Sequence, residues 1–230
     1  VEAVADKAVI FFDSHGLATN GPSYVCLTSS DGLTSEDYAN GWAYNGSSFF
    51  GIDGRYIQNH ISAPLANSFV WSASCETMKL SCGGITGAAL LAAGAGAVYG
   101  YSQSVSFSGD YKYLDYFWDK MCDGATAGEA FAQMTEALGD WDPAYTNSSG
   151  AAYPVIMSSD DPFPADPDSH QIVNSDWTLF SSEHRPVNFY LTEMDYTGVI
   201  PVAEGGTGLA SDTKDRYLYS VVIFNTNWIS

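Results

Sequence analysis

Short apolar runs broken by glycine and polar turns set the rhythm of the first hundred residues. Residues 8–12 (AVIFF) and 69–71 (FVW) are continuous apolar runs rich in β-branched and aromatic side chains. Strands buried on both faces of a parallel sheet have this pattern. Between them, residues 17–67 are dense in Gly, Ser, Asn and Asp. Within that stretch, residues 24–27 and 48–52 predict short strands, the second before a polar turn at Asp53-Gly54. Residues 56–61 predict a helical turn. Farther on the period changes. Tyr113, Leu114, Phe117, Trp118 and Met121 recur at helical spacing and predict a helix over 110–121, stopped by Gly124. Thr126-Ala127-Gly128-Glu129 is a capping box that opens a second helix to about Leu138, with Gly139 at its C-terminus. Residues 153–157 predict the next strand. Residues 187–191 and 217–224 predict two more, on either side of a Gly-rich turn at 205–208. No repeat of 20–50 residues is visible.

Composition narrows the class. The 230 residues are 46% apolar, enough for one sizeable core with at most a small appendage. No apolar run approaches the roughly 18 residues of a membrane span. The net charge of −19, with only eight Lys and Arg, argues against a nucleic-acid partner. It suits a solvated, extracellular surface. The four cysteines, Cys26, Cys75, Cys82 and Cys122, show no zinc spacing. Their scarcity beside abundant Tyr, Ser, Asn and Gly points to a secreted or surface protein of bacterial type. Val1-Glu2-Ala3 is not a signal peptide, and the chain starts without Met.

The chemistry lies where the two apolar runs end. The first continues into Asp13-Ser14-His15-Gly16, the second into Ser72-Ala73-Ser74-Cys75-Glu76. In open α/β sheets the carboxyl ends of the strands are where ligands bind. A thiol attacks only as thiolate, and an imidazole beside it takes its proton and later returns it. Taken singly, such a Cys is ordinarily a small buried hydrophobe and such a His a loop residue. Two strand-terminal residues of complementary chemistry make the pair a candidate dyad. Spending Cys75 on catalysis leaves an odd number of cysteines, so no obligatory disulfide framework is expected.

His15-Gly16 after one strand and Ser74-Cys75 after the next resemble the clan of cysteine peptidases that includes caspases, legumain, clostripain, gingipains and separase. The likeness is nearest to the bacterial gingipain and clostripain types. It extends over residues 8–158: residues 83–94 resemble the small-residue helix after the nucleophile, 95–101 the following strand, and 113–118 with 128–131 the helical pair of gingipain-like domains. The resemblance implies an α/β, caspase-like (caspase/haemoglobinase) three-layer sandwich with a mostly parallel sheet and extra C-terminal strands. It implies a peptidase domain over 1–170, and a β-rich extension or small appendage over 171–230. It also implies a cysteine endopeptidase acting through an acyl-enzyme, with Cys75 as nucleophile and His15 as general acid/base. The backbone N–H groups of Gly16 and Cys75 would form the oxyanion hole. Asp13 is a candidate to orient His15, and Tyr99, Gly100, Tyr101 and Ser102 fall where the family builds its P1 pocket wall.

The chain departs from the clostripain pattern at Ala73, where those enzymes carry the acid that grips a basic P1 side chain. Basic specificity would then have to come from Asp13, Asp110 or a segment outside the chain. In the resembled fold a strand–helix–strand unit precedes the His strand, whereas only seven residues precede Ala8 here. Inner strand edges left open are costly, so the expected partner is an N-terminal fragment of the same precursor, with proteolytic processing as the activating step. The other partner is a peptide or protein substrate. The chemistry requires no cofactor. Asp160, Asp161, Asp166 and Asp168 form an acidic, proline-stiffened loop able to hold calcium, though a solvated loop is the first reading of such a stretch. Two rivals stand. Gly100-Tyr101-Ser102-Gln103-Ser104 nearly matches the nucleophile elbow of serine hydrolases, although 105–109 is not an evident helix start. A caspase-like binding or scaffold protein with a silent site is the other.

Overall fold

The computed structural model describes residues 8–19, 21–65, 67–79, 85–139, 142–147, 150–152, 154–158, 175–179 and 221–225. In chain order the strands and helices are β1 (Val9–Asp13), β2 (Gly16–Ala18), β3 (Ser23–Leu27), α1 (Ser35–Ala39), β4 (Ala43–Asn45), β5 (Phe50–Ile52), α2 (Gly54–His60) and β6 (Phe69–Ala73). They continue as α3 (Ile85–Ala92), β7 (Ala97–Tyr101), α4 (Phe107–Cys122), α5 (Ala127–Leu138), β8 (Asp142–Asn147), β9 (Gly150–Ala152), β10 (Pro154–Ser158) and β11 (Val221–Asn225).

The main sheet has the order β10-β7-β6-β1-β11. β11, β1, β6 and β7 are parallel, and β10 closes one edge antiparallel to β7. The protein is therefore mixed α/β with a mostly parallel sheet. Alternate residues of each strand feed two cores. On one face Val9, Phe69, Trp71, Ala97, Tyr99 and Tyr101 pack against Tyr113, Phe117 and Met121 of α4 and Phe131 and Met134 of α5. On the other, Ile10, Phe12, Val70, Val98, Val155 and Met157 meet Tyr56 and Ile57 of α2 and Leu90 of α3. Helices on both faces are compatible with a three-layer sandwich. The small antiparallel sheet β2-β3-β5-β4 is built from the Gly- and Ser-rich stretch between β1 and β6.

Two boundaries differ from the sequence reading. α4 begins at Phe107, three residues earlier than the periodicity indicates. Ser106 caps it by accepting from the Gly109 N–H at 3.0 Å, and the Asp142 carboxylate accepts from the Ser106 N–H at 2.7 Å. Residues 105–109 thus do start a helix, which a small polar cap makes inconspicuous. The free edge expected at β1 is taken by β11, with Val9 opposite Val221 and Asp13 opposite Asn225 in parallel register. Strand β11 of this chain lies along the β1 edge beside which an N-terminal fragment was expected.

Residues 175–179 return to the α4–α5 face. Trp177 and Leu179 join its core, and the Ser175 and Trp177 carbonyls accept from Gly128 and Ala127 at the start of α5. Both β11 and this segment, from the stretch read as an extension, join the α/β body. The strand expected over 187–191 and the acidic loop of Asp160, Asp161, Asp166 and Asp168 lie outside the described residues.

Phe117 is fully buried, 5.3 Å from the Trp71 ring and 5.4 Å from the Phe69 ring. Phe117→Ala should therefore cost about 3–5 kcal/mol in denaturant unfolding. Tyr111→Ala, six residues earlier on the same helix and 58% exposed, should stay within about 0.5 kcal/mol. Equal costs at the two sites would contradict the packing.

Candidate active site

β1 and β6 run side by side with Asp13 opposite Ala73. His15 and Cys75 each follow two residues later, so parallel pairing alone delivers both to one sheet edge. His15 is exposed and Cys75 half-buried. The His15 carbonyl accepts from the Cys26 N–H at 2.7 Å, and the buried Ser14 hydroxyl donates to the Cys26 carbonyl at 2.5 Å. These bonds pin the His15 peptide to β3.

The two turns touch through backbone. A Cβ on Gly16 would lie 2.0 Å from the Cys75 carbonyl oxygen and 2.9 Å from its nitrogen. Only glycine admits that approach. Glu76, next along, has a φ of +59°, an uncommon conformation for a non-glycine residue. Its N–H donates to the Gln103 carbonyl at 3.0 Å, and Met78 N–H donates to the Tyr101 carbonyl at 3.0 Å. The turn after Cys75 is thus tied to the continuation of β7.

The Cys75 thiol meets the backbone of Val105. The Val105 N–H donates to the sulfur at 3.4 Å, and the thiol lies 3.6 Å from the Val105 carbonyl as a donor. Burial pushes the thiol above its ordinary pKa, the Val105 hydrogen bond pulls it back, and the Glu76 charge pushes it up again. Together these keep the group a neutral thiol near neutral pH. Cys26, buried in β3, is pushed up to about 12 by burial and by Cys75. A thiol held so far up stays protonated and unreactive.

Asp13 ends β1 on the α4 side of the sheet. Asp110, in the first turn of α4, accepts from the Tyr101 hydroxyl at 2.7 Å, and Tyr101 lies within reach of the Tyr99 hydroxyl at 3.4 Å. Burial raises Asp13. Asp110 is raised to about 6, chiefly by burial and further by the neighbouring charge of Asp13, against the pull of the Tyr101 hydrogen bond. The expected pocket-wall residues are largely structural here. Tyr99 stacks on Trp71 at 3.7 Å, Tyr101 is fully buried, Ser102 is 2% exposed, and Met78 packs against Gly100. Large aromatic side chains at alternate positions of a central strand enter the core, and this segment is such a strand.

Sequence reasoning missed Glu76, Val105 and the nearness of Cys26. Glu76 adjoins Cys75 and was open to notice, while the other two depend on chain returns that no local pattern encodes. No group of three or more potential metal ligands occurs among the described residues. No helix among them is long and apolar enough to cross a membrane. No family model matches the chain, and comparison with curated proteins likewise gave no match.

Asp110 makes the edge pH-sensitive. A carboxyl whose folded pKa is raised binds its proton more tightly in the native state, so stability falls as pH rises from about 4 through about 6. The cost above that window is on the order of 2–3 kcal/mol. Asp110→Asn keeps an oxygen acceptor for Tyr101 and should flatten this part of the melting-temperature profile. Its melting temperature should gain on wild type at pH 7 relative to pH 4. Parallel profiles for the two proteins would refute the assignment.

Proposed function

We propose that the protein is a cysteine endopeptidase of caspase-like fold, acting as a secreted or surface enzyme. The observation that carries this reading is the backbone contact of Gly16 with Cys75 at the carboxyl edge, which sets His15 and the thiol on adjoining turns. In the proposed cycle His15 takes the Cys75 proton as the sulfur attacks the scissile carbonyl carbon. The carbonyl π electrons move onto oxygen, which the Gly16 and Cys75 N–H groups stabilise. The intermediate collapses, the C–N bond breaks, and His15 gives its proton to the leaving amine. Water, deprotonated by His15, then attacks the thioester; the C–S bond breaks and the proton returns to sulfur.

Asp13 stands in register beside Ala73, so an acid occupies the strand next to the one that carries it in the clostripain pattern. With Asp110 close behind, this arrangement favours a Lys or Arg side chain at P1. The serine rival is poorly served, because Ser102 is 2% exposed and a nucleophile must reach its substrate.

Cys75→Ala and His15→Ala should each lower kcat/KM on a fluorogenic peptide panel by about 10⁴-fold or more, without additivity in the double variant. Near-native hydrolysis by Cys75→Ala would sink the proposal. Loss on Ser102→Ala alone would install the serine mechanism.

A further inference from the structure

Glu76 joins both catalytic turns. One carboxylate oxygen accepts from the Ala18 N–H at 3.0 Å, three residues past His15. The other accepts from Lys79 Nζ at 2.7 Å. Residues 18 and 76 are far apart in sequence, so this bond fastens β2 directly to the nucleophile turn. Lys79 in turn fixes the carboxylate, both side chains being about four-fifths buried, with 24% and 21% exposure. The positive φ of Glu76 aims the side chain back toward β2 and is held by its N–H bond to Gln103.

We propose that Glu76 is a positioning residue that clamps the His15 turn to the Cys75 turn and so holds the imidazole where it can take the thiol proton. The inference rests on the cysteine-peptidase reading above. Its contribution is geometric, because a negative charge beside a thiol opposes ionisation and gives no help to the thiolate. A hydrogen bond at this point replaces side-chain freedom with a fixed distance between β2 and the nucleophile, and small misplacements of a catalytic group are expensive.

The test is a double-mutant cycle on thiol alkylation, which needs no peptide turnover. The iodoacetamide rate at Cys75 is measured at pH 7 on full-length wild type, His15→Ala, Glu76→Ala and the double variant, with the modified residue mapped by mass spectrometry. His15→Ala should slow alkylation about 10-fold or more in wild type and by less than about 2-fold in the Glu76→Ala background. Glu76→Gln keeps an oxygen acceptor for the Ala18 N–H and should restore most of the His15 effect, whereas Glu76→Met, which fills the space without that acceptor, should not. An equal His15 effect in both backgrounds overturns the clamp. So does a wild type indifferent to His15→Ala, since nothing then requires positioning. Intact coupling with no peptide hydrolysed by wild type would leave the clamp standing and remove the peptidase reading instead.

Discussion

The close approach of Gly16 to Cys75 is the constraint on which the site depends. Two parallel strands in register end together, and the chain after each must turn away without colliding. A side chain at position 16 would occupy the space of the Cys75 carbonyl, 2.0 Å from its oxygen. Its absence lets the two peptide units lie against each other. Everything else at the edge serves to hold that contact: the His15 carbonyl bond to β3, the Glu76 bond to β2, and the ties from residues 76 and 78 to the end of β7. Such a site is assembled from backbone, and side chains of the right chemistry need only follow.

Packing behind the edge explains why the edge holds still. Trp71, Tyr99, Phe117 and Phe69 form a dense aromatic layer between sheet and α4. Aromatic pairs at these separations contribute beyond the area they bury. The layer becomes polar only at its outer end, where Tyr101, Asp110 and Asp13 meet the edge. Burial raises the proton affinity of both carboxyls, and the neighbouring Asp13 charge raises that of Asp110 further. The same arrangement welcomes a cation, which would relieve both burial and repulsion. An acidic chain of net charge −19 thus places two of its carboxyls side by side at this edge.

Strands β1 and β6 were legible because apolar, β-branched and aromatic runs are long enough to show their type, and His15 and Cys75 stood out as the residues just beyond their ends. The capping box at Thr126 and Glu129 marked α5 correctly. The five-residue α1 went unread although Thr34 and Asp37 form a capping box there, because so short a helix shows no period. The three-residue strands β2 and β4 were hidden for the same reason. The placement of β11 was not legible at all. Residues 217–224 read as a strand, but nothing local says that Val221–Asn225 returns to pair with β1. Likewise Tyr99 and Tyr101 lie where a pocket wall was expected, and their burial is decided by α4 and α5, which come later in the chain. Long-range closure, rather than local propensity, settles such positions.

The most direct test of the account is covalent capture at the site. A peptidyl acyloxymethyl ketone carrying Lys or Arg at P1 should label the native protein once, with the adduct mapped to Cys75 by peptide mass spectrometry, and labelling should collapse in His15→Ala. An adduct on Cys26, Cys122 or Ser102, or labelling of Cys75 that is unchanged in His15→Ala, would contradict it.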